Sequence, residues 1–171
     1  QGLLGSAYYV ENPISEPKNT VANINMDAFN SPERMKDLTI IGYGQSELDA
    51  YAIEAAATQD RYILPDPKPE GGYFFRSDHF NFAKIGIPAL YAKGSYEGFN
   101  LSIEEIKEWN DNYRMKVYHQ PSDEYHPNKT DLSGIQFDAQ LLFEVGFKLA
   151  NENYFPKWNE GSEFKMVREA N

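Results

Sequence analysis

The sequence predicts an α/β layered fold, and three observations predict it. Apolar runs recur at "TVANINMDAF", "DLTIIGYG" and "IPALYAKG", each short enough for a buried strand. Segments with helical spacing lie between and after them. Clusters of glycine and proline separate the two kinds of segment. Strands alternating with helices pack as helices over a sheet, and a chain of 171 residues is expected to form a single domain, 1–171.

Taken in order, Leu3, Leu4, Ala7, Tyr8 and Val10 predict a helix that stops before Pro13. The first strand follows, with Val21, Ile24 and Met26 as core candidates and Asp27 as its terminal acid. The second strand closes at Gly42 and Gly44. Ser46 is then a good N-cap, Asp49 sits in the first turn, and Leu48, Tyr51, Ala52 and Ala55 share one helical face. "RYILPDPKPEGGYFF", with its prolines and glycines, is expected to be a loop with little regular structure. "RSDHFNFAKIG" predicts a short helix capped by Ser77 and ended at Gly86, before the third strand. Ser102 and Glu105 form a capping-box pattern for the next helix. The last long helix is expected from about Asp131 to Asn153, with Ile135, Ala139, Leu142, Val145 and Leu149 in its apolar stripe.

Composition narrows the function. With 41% hydrophobic and 15% aromatic residues, the chain is not disordered. A chain of this size buries roughly 70% of its unfolded surface. Twelve Tyr and eleven Phe point to a core and pockets built from rings. The net charge of −10 argues against nucleic acid or an anionic membrane surface as partner, though not against a cation. There is no cysteine, so neither a disulfide nor a thiolate zinc site can form, and any metal must be held by His, Asp or Glu. No run approaches the roughly 18 apolar residues of a membrane span.

In open α/β sheets, sites form where loops leave the carboxyl ends of strands. Asp27, "GYGQS" and the loop after "IPALYAKG" are expected at such ends. An acid at a strand end is more often a turn residue than a ligand, and His119, beside Tyr118 and before a Pro-Ser-Asp turn, has the look of a surface histidine. As a pair they are nonetheless ligand types that zinc accepts without thiolate. Asp123 and Glu124 are placed to orient the His119 ring through its second nitrogen. Arg76, Asp78 and His79 have two readings. One is a helix start, with Ser77 and Asp78 capping and His79 solvated; the other is the lining of a pocket. His126, before Pro127, is a surface residue, and "GYGQSELD" lacks the glycine pattern and lysine of a phosphate loop.

Six segments in order, "QGLLGSAYYVENP", "ANINMDAF", "GYGQSELD", "PDPKPEGGYFFRSDHFNFAKIGIPAL", "YHQPSDEY" and "FPKWNEGSEFK", resemble the C-terminal half of the co-catalytic zinc aminopeptidases, family 28 of the metallopeptidases. The resemblance implies a mixed β-sheet flanked by helices, a three-layer zinc-exopeptidase fold. It implies two zinc ions, with Asp27 and His119 as ligands of different metals. Arg76, Asp78, His79, Tyr118 and Asp123 become candidates for the substrate pocket or for supporting the ligands. In the family the remaining ligands and the general-base Glu lie before the "GLLGS" stretch. No catalytic residue is therefore expected within these residues, and the chain reads as part of a longer protein. Its first residue, Gln1, and a helix lacking its capping sequence point the same way.

The implied reaction in the intact protein is hydrolysis of the first peptide bond of a peptide by a water shared between the two zincs. The isolated chain is expected to be inert and to hold no zinc alone. A related single-zinc glutaminyl cyclase is one alternative, since it shares the late His, the "D-H-x-x-F" and the "G-I-P" elements. A non-catalytic binding or assembly module is another. Half a sheet leaves an open strand edge and an uncovered apolar face, so a homodimer through that edge, a swapped strand or a partially ordered N-terminal segment is expected. Kinship with the family further implies an exported protein.

Overall fold

The computed structural model describes residues 2–170. Four strands form one mixed sheet in the order β1-β4-β2-β3. They are β1 (Asn23–Asn25), β2 (Asp37–Ile41), β3 (Tyr62–Pro65) and β4 (Ala89–Lys93). β1 runs parallel to β4 and β3 parallel to β2, while β2 and β4 are antiparallel, with Thr39 opposite Lys93 and Ile41 opposite Tyr91. The strands therefore point in two directions, two each way. The expected α/β class and mixed, helix-flanked sheet are present.

Alternation along the strands builds two layers on the sheet. Leu38, Ile40, Leu90 and Ala92 pack with Leu48, Ala52, Ala55 and Ala56 of α2 (Leu48–Thr58) and with Leu141, Leu142, Val145 and Leu149 of α5 (Ser133–Asn151). Near the opposite face, Ala83 of α3 (His79–Lys84), Ala89, Trp158 and Phe164 form a smaller cluster with Phe74 and Phe80. α1 (Leu4–Glu11) packs on α3. α4 (Ile103–Lys116) meets the loop after β4, where the Asn110 amide donates to the Ser95 carbonyl, and α6 (Lys165–Ala170) closes the described chain. Among the described residues no helix is long and apolar enough to cross a membrane.

Several elements differ from the sequence reading. The stretch expected to be an irregular loop contains β3, an edge strand whose residues are half-buried or exposed. Its pairing to β2 holds it, and only Pro65, which cannot donate to the ladder, marks its end. The first strand is shorter than expected, and Met26 is 60% exposed because the chain leaves the sheet after Asn25. α2 begins at Leu48 with Glu47 in the cap position, although the Ser46 hydroxyl still accepts from the Leu48 N–H at 3.3 Å. The capping box of α4 is present in full, Ser102 accepting from the Glu105 N–H and Glu105 accepting in return.

The buried face of α5 includes Asp138, a position that apolar periodicity alone does not reveal. Asp138 pairs with Arg61 at 2.7 Å, both side chains almost fully buried, and accepts from the Gly94 N–H at 2.9 Å. Arg61 also donates to the Asp37 carbonyl at 2.6 Å. The Asp37 carboxylate, itself buried, accepts from the backbone N–H groups of Ser95, Tyr96 and Glu97. This polar cluster fixes the loop after β4 against the start of β2.

Candidate active site

Because β2 runs against β4, the "GYGQS" turn leaves the sheet at the opposite end from Asp27. Both follow the carboxyl end of a strand, as expected, but the antiparallel pairing of β2 and β4 puts those ends on different rims of the sheet. The rim that matters is formed by the carboxyl ends of the parallel pair β1 and β4.

Asp27 lies two residues beyond β1 and is followed by Ala28 at φ 52°. That left-handed turn takes the chain out of the sheet immediately after the carboxylate. Asn25, Ser77 and Asp27 form a relay. The Asn25 Nδ2 donates to Ser77 Oγ at 2.7 Å, and Ser77 Oγ donates to Asp27 Oδ2 at 2.5 Å. Asn25 and Asp27 are two apart, hence on one side of an extended chain. Ser77 is buried and reaches them from the start of α3. One carboxylate oxygen is thereby held, and the other makes no hydrogen bond among the described residues.

"Ser-Asp-His" at 77–79 sends its three side chains to three places. Ser77 holds Asp27 rather than capping the helix. Asp78 accepts from Ser6 Oγ at 2.5 Å, and Ser6 in turn accepts from Asn81 Nδ2 at 2.7 Å, so Asp78 ties α1 to α3. Neither makes a side-chain cap to α3, correcting the capping expectation. His79 is fully buried, its ring 4.7 Å from Phe74 and 5.1 Å from Tyr91, which overturns the solvated reading. Neither of its ring nitrogens has a hydrogen bond among the described residues. Burial pushes its pKa down to about 4, against the opposing pull of Asp27 and Asp78. It is neutral at physiological pH. Arg76 is exposed, 5.9 Å from the centre of the Tyr73 ring.

His119 follows α4 in a turn, exposed, at φ 61°. A non-glycine residue in that region is uncommon, and such residues concentrate at functional positions. Its ring stacks on Tyr118 with centroids 3.8 Å apart. Asp123 does not orient it: its carboxylate accepts from the Tyr113 hydroxyl at 2.8 Å. Tyr91 connects the two regions. Burial pushes its hydroxyl pKa up, and Asp27 and Tyr118 both act in the same direction.

Beside Tyr91 lies a cavity of about 410 Å³ between the sheet, α4 and the segment after β3. Tyr91 and Lys93 line it. The Tyr91 hydroxyl approaches the Asp27 carbonyl at 3.5 Å, and the Lys93 amine donates to the Ala28 carbonyl at 3.1 Å. Cavities of this size take small ligands or single side chains. Sequence reasoning missed Ser77 as a carboxylate holder, and Tyr91 and Lys93 as neighbours of the site. The alternation Asn23, Asn25, Asp27 on one strand face is the signal that was available.

A family model described as Peptidase family M28 matches residues 1–141. The chain belongs to that family. No curated protein and no solved structure matches it significantly. Four mixed strands with helices on both faces are consistent with the fold of family M28. Zinc is the metal that membership implies, and the donors present do not suffice for it. Among the described residues no group of three or more His, Cys, Asp or Glu side chains is placed to hold a metal, whereas zinc takes three or four protein ligands. Asp27 offers one carboxylate oxygen and His119 an imidazole, one donor from each of two segments.

Proposed function

We propose that this family M28 chain forms part of the catalytic domain of a zinc-dependent aminopeptidase, which hydrolyses the first peptide bond of peptides with a free N-terminus. The observation that carries the reading is the Asp27 carboxylate, held by Ser77 at the carboxyl end of β1 with its other oxygen making no hydrogen bond among the described residues. A structural turn acid would use its carboxylate on its own turn; Asp27 instead accepts from a distant buried serine.

Asp27 and His119 each supply one ligand in this reading. The remaining ligands and the general-base carboxylate come from residues outside these 171. Among the described residues β1 pairs only with β4, so its other edge is where such a segment, or a second copy of the chain, would add to the sheet. The chain alone is inactive on this account.

Isothermal titration of zinc into the chain tests the shared-site reading, with Asp27→Ala and His119→Ala as controls. Heats no larger than those of either variant are expected. One-to-one binding abolished in both variants would overturn it, because the chain would then hold a complete site.

A further inference from the structure

The cavity beside Asp27 has a charge balance opposite to that of the molecule. The chain carries −10 overall, yet the cavity is lined by Lys68, Lys93, Lys107 and Arg114 against Asp66 and Asp111. Lys107 is already paired with Asp111 at 2.7 Å. Arg114 has no ion-pair or hydrogen-bond partner among the described residues. Lys93 is half-buried on the sheet, with its amine spending one donor on the Ala28 carbonyl. Lys68, Lys107 and Arg114 are exposed, and Asp27 and Asp138 act as counter-charges on Lys93; the lining still holds two more cations than carboxylates, so an incoming anion meets a net positive wall.

The walls suit an anion with a short apolar stem. Ile41, Ile103 and Ile106 give methylene-sized contacts, and Tyr91 and Tyr96 bring phenol groups to the lining. A phenol carries a hydroxyl that can donate to a carboxylate. Cationic and phenolic donors around an aliphatic wall are what a glutamate or aspartate side chain needs.

We propose that this cavity receives a carboxylate side chain, so that the enzyme selects peptides beginning with glutamate or aspartate, and that Lys93 and Arg114 determine the selection. This rests on the peptidase reading for its meaning, but the binding itself requires neither metal nor turnover. Arg114 on α4 and Lys93 on β4 approach the ligand from two elements, which fixes where its carboxylate lies.

The test is binding of three probes to the chain, followed by ligand-observed NMR titration. Glutamic acid α-amide carries a side-chain carboxylate, leucine amide carries none, and free leucine carries only an α-carboxylate. Glutamic acid α-amide should bind about tenfold more tightly than either leucine probe, as charge-assisted hydrogen bonds dictate. Arg114→Gln, an exposed change that leaves the core untouched, should remove most of that preference, and Lys93→Met should do the same. Equal binding of leucine amide, or a preference unchanged in Arg114→Gln, would overturn the proposal. Tighter binding of free leucine would also overturn it, by assigning the cations to an α-carboxylate. A preference confirmed in the chain, together with no hydrolysis by a protein that joins these residues to the segment completing the site, would retain the cavity's selectivity and defeat the peptidase reading alone.

Discussion

Ser77 joins two residues of the candidate site through a single hydroxyl. It accepts from Asn25 and donates to Asp27, so Ser77→Ala leaves two buried or half-buried polar groups without partners. The expected cost is about 1–3 kcal/mol of stability, read by urea denaturation. Activity of the assembled enzyme should fall roughly 10–100-fold, the effect of losing a group that orients a metal ligand. Unchanged activity would mean that the relay does not position Asp27. The sequence showed Asp27 and His119 as candidates because a strand-end acid and a loop histidine are visible locally. It did not show Ser77 in its role, since the contact joins residues 27 and 77 and depends on α3 packing beside β1. The fate of His79 was hidden for a related reason. Nothing local separates a solvated imidazole from one enclosed by Phe74 and Tyr91.

At the scale of elements, the α4 capping box was legible locally, while the strand pairings and the caps of α2 and α3 were not. The capping box of α4 involves residues three apart, and it is present as expected. β3 exists because β2 offers it a ladder, and its own half-exposed residues carry no clear alternation. The direction of β2 against β4 is likewise absent from the hydrophobic pattern, which fixes the buried face but not the orientation. On α5, Asp138 is buried only because Arg61 meets it from the start of β3. Asp138→Ala leaves the Arg61 guanidinium buried without its counter-charge and the Gly94 N–H without an acceptor. A loss of about 3–5 kcal/mol in a denaturant titration is expected. A loss below 1 kcal/mol, about what an exposed pair is worth, would show that water reaches Arg61.

For the whole molecule, the response to pH has a specific contributor. Burial raises the Asp49 pKa to about 6, with the Gly44 N–H opposing that shift. An unfolded aspartate titrates near 4, at about 3.9, so between that value and about 6 the folded chain keeps a proton that the unfolded chain has lost. The Asp49 contribution to stability therefore falls as pH rises through that window. Asp49→Asn retains an acceptor for Gly44 and removes the titration. It should be more stable than the parent at pH 7 by about 1 kcal/mol once solvent screening is allowed for, and equal to it at pH 4. Thermal melts at the two pH values check this, and an identical difference at both would contradict it. On the same scale lies the contrast between an acidic molecule and a cation-lined cavity beside its candidate metal ligand, a contrast that an average over the sequence conceals.

The central claim is that Asp27 is a metal ligand of a family M28 peptidase. It is tested most directly by hydrolysis of an aminoacyl p-nitroanilide by a protein that joins these residues to the segment proposed to complete the site. The account predicts zinc-dependent release of p-nitroaniline, absent when the substrate's amine is acetylated. Asp27→Ala should lower kcat/KM by more than about 100-fold, beyond the cost of losing a supporting residue, with the fold intact by circular dichroism. Undiminished turnover by a folded Asp27→Ala protein would contradict it.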